Sequence, residues 1–258
     1  MKRGAWAIAA VAGMAVLGAT AYGHFQVLRP DRDYLDGPGK VSVDVVFTHP
    51  MEQGPVMEMG RPVQFGVLHK GKKHDLRAGL KARKVNGKTA YTATIDVAEP
   101  GDHVVFIEPA PYWEPAEGCM IVHYTKVVVN AMADEDAWDA MVGFPVEIEP
   151  LVRPYGLWTG NLFRGIVKKG GKPVPFAEIE VEYWNEGGRV EAPNDTFVTQ
   201  VIKADASGVF AYAMPRAGWW GFAALIEGDR KMKNPEGKEV PVEQGALMWV
   251  RCVDMKVK

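Results

Sequence analysis

Histidine and methionine residues occur near the expected ends of several strands, where they could bind a transition metal. His24 follows an apolar leader, His49 ends the run KVSVDVVFTH, and His123 lies within MIVHYTKVVVN. Imidazole nitrogens suit Ni, Co, Cu and Zn, whereas thioether sulfurs favour Cu(I). The candidate metal ligands are His24, His49, His123, Met57, Glu58, Met59 and Met120.

The first 23 residues have the features of a secretory signal peptide. A basic start is followed by an uncharged apolar stretch and then by small residues. We expect cleavage after Ala21 or after Gly23, and therefore a periplasmic protein. Cleavage after Gly23 would make His24 the first residue, so that its α-amine and its imidazole would offer two nitrogens at one point.

The composition limits the classes of function that the chain can have. Its 258 residues carry 30 basic and 32 acidic side chains, which excludes the strongly basic surface of a nucleic-acid-binding protein. The two cysteines, Cys119 and Cys252, are too few for a disulfide scaffold and could form one bridge or stay free. No zincin, Walker, dinucleotide-binding or nucleophile-elbow motif occurs, so we expect no enzymatic activity.

Residues 24–143 are predicted to form a first β-sandwich that holds the metal site. Alternating apolar runs of strand length recur between turn signals, and seven short strands in about 105 residues are typical of an immunoglobulin-like sandwich. Asn86-Gly87 is the dipeptide that a type I′ hairpin turn requires. The run DEDAWDAMV, residues 134–142, is predicted to be one short connecting helix with an acidic start.

Residues 144–158 contain several prolines and are predicted to be a linker, in which Glu147 and Glu149 would face solvent. Residues 159–258 are again rich in strand patterns. From 161 to 253 they resemble the transthyretin-like or carboxypeptidase-regulatory sandwich, through a spacing of Gly, Pro, Ala and apolar residues that begins at FRGIVKKGGKPVPFAEIEVEY. We therefore expect an all-β chain of two separately folding sandwiches.

Strand direction predicts which histidines meet. Successive antiparallel strands alternate in direction, so strand ends are shared between two ends of the sandwich. One end should hold His24, His49 and His123, with the loops that carry the candidate methionines and Glu58, and with Tyr112 and Trp113 as walls. The opposite end should hold His69, His74 and His103, which we expect to be surface or strand residues.

The mature chain resembles a family of bacterial periplasmic proteins associated with energy-coupling-factor nickel and cobalt transporters. The similarity lies in HFQVLRP, FTHPMEQGPVMEMGRPVQFGV, EPAPYWEPAEG with the later HYTKV, and the transthyretin-like segment. It implies an extracytoplasmic component that binds nickel or cobalt and hands it to a membrane metal transporter. The resemblance carries over to His24 and His49, whereas His123 depends on the strand-direction argument.

Two other functions fit the same residues. The first is a copper-binding protein or oxidase-like enzyme with an N-terminal histidine brace, for which His24 must be the first residue. The second is a structural or adhesion sandwich without metal. Metal titration separates the second from the rest, and oxygen chemistry that requires a reductant separates the first.

Overall fold

A computed structural model describes residues 23–257, and all regular structure in this range is β-strand or single 3-10 turns. The signal peptide predicted over residues 1–23 lies outside the described residues, except for Gly23. The strands of the first half are β1 (Phe25–Pro30), β2 (Tyr34–Leu35), β3 (Gly39–Thr48), β4 (Gln64–His69), β5 (Lys72–Asp75), β6 (Lys81–Val85), β7 (Lys88–Val97), β8 (Gly101–Glu108), β9 (Tyr112–Glu114) and β10 (Cys119–Ala131).

The second half continues the all-β pattern, so the predicted fold class is confirmed. Its strands are β11 (Val146–Pro150), β12 (Leu157–Trp158), β13 (Leu162–Lys169), β14 (Lys172–Pro173), β15 (Glu178–Tyr183), β16 (Gln200–Lys203), β17 (Val209–Ala213), β18 (Gly218–Glu227), β19 (Met232–Lys233), β20 (Glu239–Val240) and β21 (Val242–Val253). The 3-10 turns are Arg77–Gly79, Glu186–Gly188 and Asp195–Phe197. Within residues 23–257, no helix is long and apolar enough to cross a bilayer.

The strands form three main layers. The front sheet has the order β1-β3-β7-β6, and the back sheet has the order β11-β13-β14, with β17 also paired to β13. Between them lies an eleven-stranded central sheet of order β16-β15-β18-β21-β10-β8-β4-β5, beside which β2, β9 and β12 make short pairings. The parallel pair β10–β21 joins the strands of the two halves within this one sheet.

Each face of the central sheet covers a separate apolar core. Along β10, Ile121 and Val127 face the front sheet, whereas Val122 and Val128 face the back sheet. This alternation follows from the period of two in a β-strand. Both cores contain residues from both halves, so the predicted sandwiches share a sheet and part of their packing.

The helix predicted over residues 134–142 is wrong, because the described backbone there is irregular. Its N–H groups bind a buried carboxylate: Asp102 accepts hydrogen bonds from the backbone N–H of Asp136, at 3.1 Å, and of Ala137, at 3.0 Å. In return, Asp136 accepts one from the N–H of Asp102 at 2.9 Å. These tertiary bonds take the place of helical ones.

The segment predicted as a linker, residues 144–158, contains β11 and β12. The expectation that Glu147 faces solvent is wrong, since Glu147 is 3% exposed and pairs with buried Lys126. Glu149 lies on the same face of β11, two residues further along the strand, where it is half-buried and pairs with Lys168.

The predicted hairpin turn is confirmed. Asn86 and Gly87 join β6 to β7 with φ values of 48° and 79°. Positive φ at both positions is what a type I′ turn requires, and it explains why glycine follows asparagine there. This hairpin forms one edge of the front sheet.

Candidate metal-binding site

His24 and His49 meet because their strands are neighbours in the front sheet. Strand β1 pairs with β3 so that Phe25 lies opposite Thr48, which places His24 opposite His49 one position further on. The centroids of the two imidazole rings are 4.8 Å apart, with an angle of 54° between the ring planes. The predicted meeting of these two residues is therefore present in the fold.

The turn after His49 is fastened to the second half of the chain. The carbonyl of His49 accepts a hydrogen bond from the N–H of Gly54 at 3.2 Å. The N–H of Met51 donates to Glu182 at 3.1 Å, and the side-chain amide of Asn185 donates to the carbonyl of Met51 at 2.9 Å. These bonds fix where β3 ends and so hold His49 in position.

A carboxylate orients the ring of His24. Its Nε2 lies 3.1 Å from Oε2 of Glu114, on the short strand β9 beside β10. The other carboxylate oxygen of Glu114 accepts a hydrogen bond from the N–H of Ala116 at 2.9 Å. Because a carboxylate accepts hydrogen bonds, the neutral ring of His24 carries its hydrogen on Nε2, which leaves a lone pair on Nδ1.

Both rings are neutral at physiological pH. Burial lowers the pKa of His24, although the charge of Glu114 opposes the shift. Burial and the proximity of His24 lower the pKa of His49 to about 4. Neutral imidazole is the form that binds a metal ion.

His123 lies on the face of the central sheet that is turned towards the front sheet, and its side chain is 1% exposed. Its Nε2 is 3.0 Å from Oε1 of Glu243, and because a carboxylate accepts hydrogen bonds, this nitrogen carries the hydrogen. The buried Nδ1 has no hydrogen-bond partner among the described residues. Phe47 lies against both sides of the site, with its ring centroid 5.6 Å from His24 and 5.7 Å from His123.

A glycine makes room for the ring of His123. Gly245 is its partner across the parallel pair β10–β21. A Cβ atom on Gly245 would lie 2.4 Å from Cδ2 of His123, well inside van der Waals contact. The imidazole therefore occupies the space that any other residue at this position would fill.

The methionines and Glu58 divide between two environments. Met57 and Met59 are buried in the front core, and Met59 lines a small cavity with Phe47, Tyr112 and His123. Glu58 is exposed, and its carboxylate accepts hydrogen bonds from the N–H and hydroxyl of Thr89. Met59 and Glu58 thus both line the cavity beside His123, with the Glu58 carboxylate bonded to Thr89 of β7.

Met120 does not join the other candidates. It packs in the back core, on the face of the central sheet opposite to His123. Trp113, its partner across the β9–β10 pair, also packs against the back core, so only Tyr112 of the two expected walls is near the site. The reason is alternation, because residues three apart on a strand face opposite sides.

Acidic residues that the sequence interpretation missed surround the histidines. These acidic residues are Glu114, Glu243 and Glu180. Burial and neighbouring carboxylates raise the pKa of Glu180 to about 8. Burial, followed by Glu243 and Glu117, raises the pKa of the Cys119 thiol to about 12. The site therefore disfavours further negative charge and would be stabilised by a cation.

The start of the described chain touches this acidic group. A Cβ atom on Gly23 would lie 1.8 Å from Oε2 of Glu180, so the backbone before His24 runs directly against that carboxylate. That oxygen is buried and has no hydrogen-bond partner in the described part of the chain. The two cysteines are both free and lie in different cores.

As they stand, no three His, Cys, Asp or Glu side chains between Gly23 and Val257 are already arranged to hold a metal ion. The site is a pair of facing imidazoles, His24 and His49, with His123 close enough to lower the pKa of His24. A third ligand would have to move into place. His69, His74 and His103 line a cleft with one another at the other end of the sandwich, as predicted.

Comparisons with known proteins give a family model and several β structures of low similarity. No curated protein matches the chain. The D0-D1 domain of intimin is 14% identical, with 86% of this chain and 97% of that chain covered and a TM-score of 0.25. The adhesin InvE of Yersinia pseudotuberculosis is 12% identical, with 89% and 61% covered and a TM-score of 0.25.

The tandem immunoglobulin domains A164-A165 of titin are 11% identical, with 92% of this chain and 97% of that chain covered and a TM-score of 0.20. Scores this low carry no argument about function. A family model described as Domain of unknown function (DUF4198) matches residues 21–228, and the chain therefore belongs to this family, whose description assigns no activity.

Proposed function

We propose that the protein is an extracytoplasmic metal-binding protein that holds nickel or cobalt at His24 and His49 and supplies a membrane transporter of the energy-coupling-factor type. The observation that carries the proposal is the pair of facing, neutral imidazoles whose ring centroids are 4.8 Å apart. Both rings sit at ends of paired strands, so little conformational entropy is lost when an ion binds.

Carboxylates beside two of the histidines support a metal-binding role. Histidine ligands usually donate their second ring N–H to a carboxylate or carbonyl, which fixes the tautomer and makes the ligating nitrogen more basic. Glu114 takes this position for His24, and Glu243 takes it for His123. In both rings Nδ1 is then the donor atom, and Nδ1 of His123 is buried without a hydrogen-bond partner among residues 23–257.

The complete ligand set is proposed to be His24, His49 and His123, with the thioether of Met59 as the nearest further donor. Small rotations of the side chains would have to bring these donors together. Met57 is buried in the same core, Glu58 lines the cavity beside His123 but is bonded to Thr89, and Met120 packs in the back core.

Copper binding is a second candidate, favoured by the orientation of His24. Because Nε2 faces Glu114, the free lone pair is on Nδ1, the ring nitrogen that can chelate a metal together with the α-amine of the same residue. If processing makes His24 the first residue, this chelate and His49 would form a histidine brace. Nitrogen-rich sites bind Cu²⁺ more tightly than Ni²⁺ or Co²⁺.

Calorimetric titration of the exported protein with Ni²⁺, Co²⁺ and Cu²⁺ tests the proposal. We expect one tight site that is lost in His24→Ala and in His49→Ala, and weakened in His123→Ala. Glu52→Gln is a matched control, because Glu52 follows His49 closely in sequence but has an exposed side chain that does not line the cavity beside His123. Mass spectrometry of the same sample identifies the first residue. It therefore distinguishes a histidine brace, which needs the α-amine of His24, from a site that uses side-chain ligands only.

Two results would contradict the proposal. Unchanged affinity in both the His24 and His49 variants would remove the site, and failure of the wild-type protein to bind any of the three ions would favour the structural or adhesion alternative. Transfer to a transporter needs its own test, in which metal uptake by membrane vesicles is measured with and without the loaded protein.

A further inference from the structure

A second pair of histidines lies at the opposite end of the first sandwich, far along the strands from the site described above. His69 ends β4 and His103 lies at the start of β8, and the register of these strands places the two residues directly opposite each other. Their rings stack with centroids 4.0 Å apart and an angle of 11° between the ring planes.

Backbone carbonyls fix the tautomer of both rings. Nδ1 of His69 lies 3.0 Å from the carbonyl oxygen of Asp102, and Nδ1 of His103 lies 3.1 Å from that of Gly101. Carbonyl oxygens only accept hydrogen bonds, so each Nδ1 carries a hydrogen and Nε2 is the ring nitrogen that can bind a metal ion. A Nδ1–H bound to a backbone carbonyl is a common support for a metal-binding histidine.

The Nε2 atom of His69 lacks a hydrogen bond. This atom is buried, in a side chain that is 10% exposed, and no described residue provides it with a hydrogen-bond partner. The nearest charged group is the carboxylate of Glu99, 3.7 Å away, which is itself paired with Lys70 at 3.2 Å. A buried nitrogen lone pair beside a carboxylate is a position suited to a cation.

His74 can supply a further nitrogen. It is opposite Val67 in the β4–β5 pair, and therefore diagonal to His69 on the same face of the sheet. Diagonal neighbours on a sheet are within reach of long or aromatic side chains. His74 is exposed and lines the same cleft as His69, His103 and Glu99, so its ring is free to turn towards them.

We propose that His69 and His103 form a second metal site, with Glu99 and His74 completing the coordination of a Zn²⁺-like ion. A mixed set of imidazole nitrogens and one carboxylate suits tetrahedral zinc. Glu99 must turn away from Lys70, and the stacked rings must tilt until their Nε2 lone pairs converge, so the set of ligands assembles only when the ion arrives. This proposal does not depend on the His24 site, which lies at the other end of the sandwich and uses none of these residues.

Titration of the full exported chain with Zn²⁺ alone tests the second site. His69→Gln and His103→Gln should each weaken one class of Zn²⁺ binding by more than about 100-fold, since even loss of an outer-shell partner costs 10–100-fold. His49→Ala should leave this class unchanged. Lys72→Gln is the matched control, because Lys72 is the partner of His69 in the β4–β5 pair but has an exposed side chain.

Lys70→Met provides a test that keeps both histidines in place. Without the ammonium group, Glu99 is free to bind the ion, so Zn²⁺ affinity should rise by up to about fivefold, the size of a surface ion pair. Chemical modification of wild-type histidines, mapped by mass spectrometry, should show that Zn²⁺ protects His74. Unchanged Zn²⁺ binding in natively folded His69→Gln and His103→Gln would overturn the proposal, as would weaker binding in Lys70→Met.

Discussion

Lys126 and Glu147 form a buried ion pair that connects the central sheet to the back sheet. Nζ of Lys126 lies 2.7 Å from Oε1 of Glu147, and the side chains are 1% and 3% exposed. Glu147 also accepts hydrogen bonds from the N–H groups of Val142, at 2.7 Å, and Gly143, at 2.9 Å. Among residues 23–257, Lys126 has one further oxygen partner, the carbonyl of Ala140 at 3.3 Å.

Removing either partner should destabilise the protein, but by different amounts. Breaking a buried pair from one side costs about 3–5 kcal/mol, because the other charge is left buried. Lys126→Met should fall at the low end of this range, since backbone N–H groups still bind the carboxylate of Glu147. Glu147→Gln should fall at the high end, because it leaves Lys126 with weaker partners and also loosens the turn at 142–143.

The double variant tests whether the two residues act as a pair. Lys126→Met combined with Glu147→Gln should cost less than the sum of the single changes by about 2 kcal/mol, as expected for residues in contact. The free energy of unfolding, measured in urea, gives all three values.

The control for this cycle is the neighbouring surface pair. Glu149→Gln breaks the contact of Glu149 with Lys168, where both side chains are partly exposed, and should cost less than about 1 kcal/mol. If Glu147→Gln costs no more than Glu149→Gln, or if the double variant equals the sum of its parts, the account of this pair is wrong.

Three further outcomes follow from the site and its surroundings. Gly245→Ala should displace the ring of His123, cost about 1–3 kcal/mol in urea unfolding and weaken Ni²⁺ binding; full retention of both properties would contradict the packing argument. Burial raises the pKa of Glu182 from 4.5 to about 7. The protonated side chain therefore contributes stability that is fully present below pH 4.5 and is lost as the pH rises through 7. The free energy of unfolding should fall by about 3 kcal/mol over this range. Glu182→Gln should flatten this part of the stability profile, and an unchanged slope between pH 5 and pH 8 would count against the assignment. Glu114→Gln should lower metal affinity by about 10–100-fold, as loss of an outer-shell partner of His24 does, and calorimetry that shows wild-type affinity would remove that role.

The grouping of the histidines was predictable because it depends on strand direction alone. His24 and His49 flank two strands that pair as neighbours, and His69 and His103 end up opposite each other at the far end. The turn at Asn86-Gly87 was predictable for a local reason, its positive φ values. The same reasoning could also have separated Met120 from His123, because an odd spacing on a strand puts them on opposite faces.

The acidic partners were less accessible from the sequence. Glu114 lies two residues after Tyr112, in a segment already expected near the site, so its position gave a usable signal. Glu243 reaches His123 through a parallel pairing of strands more than a hundred residues apart, which no local pattern specifies. Glu147 stands among prolines that indicate an exposed linker, and only the distant Lys126 explains its burial.

The position of β21 determines when the proposed metal site can exist. This last strand, Val242–Val253, supplies Glu243 and the glycine beside His123, while the first strand supplies the approach to His24. During synthesis, the N-terminal strands emerge first and β21 emerges after them. A partly synthesised chain would therefore present His24 and His49 without the partner that holds His123. Metal capture at the full site would then mark the completion of folding, and a fragment that lacks its C-terminal strand could not compete with the whole protein for the ion.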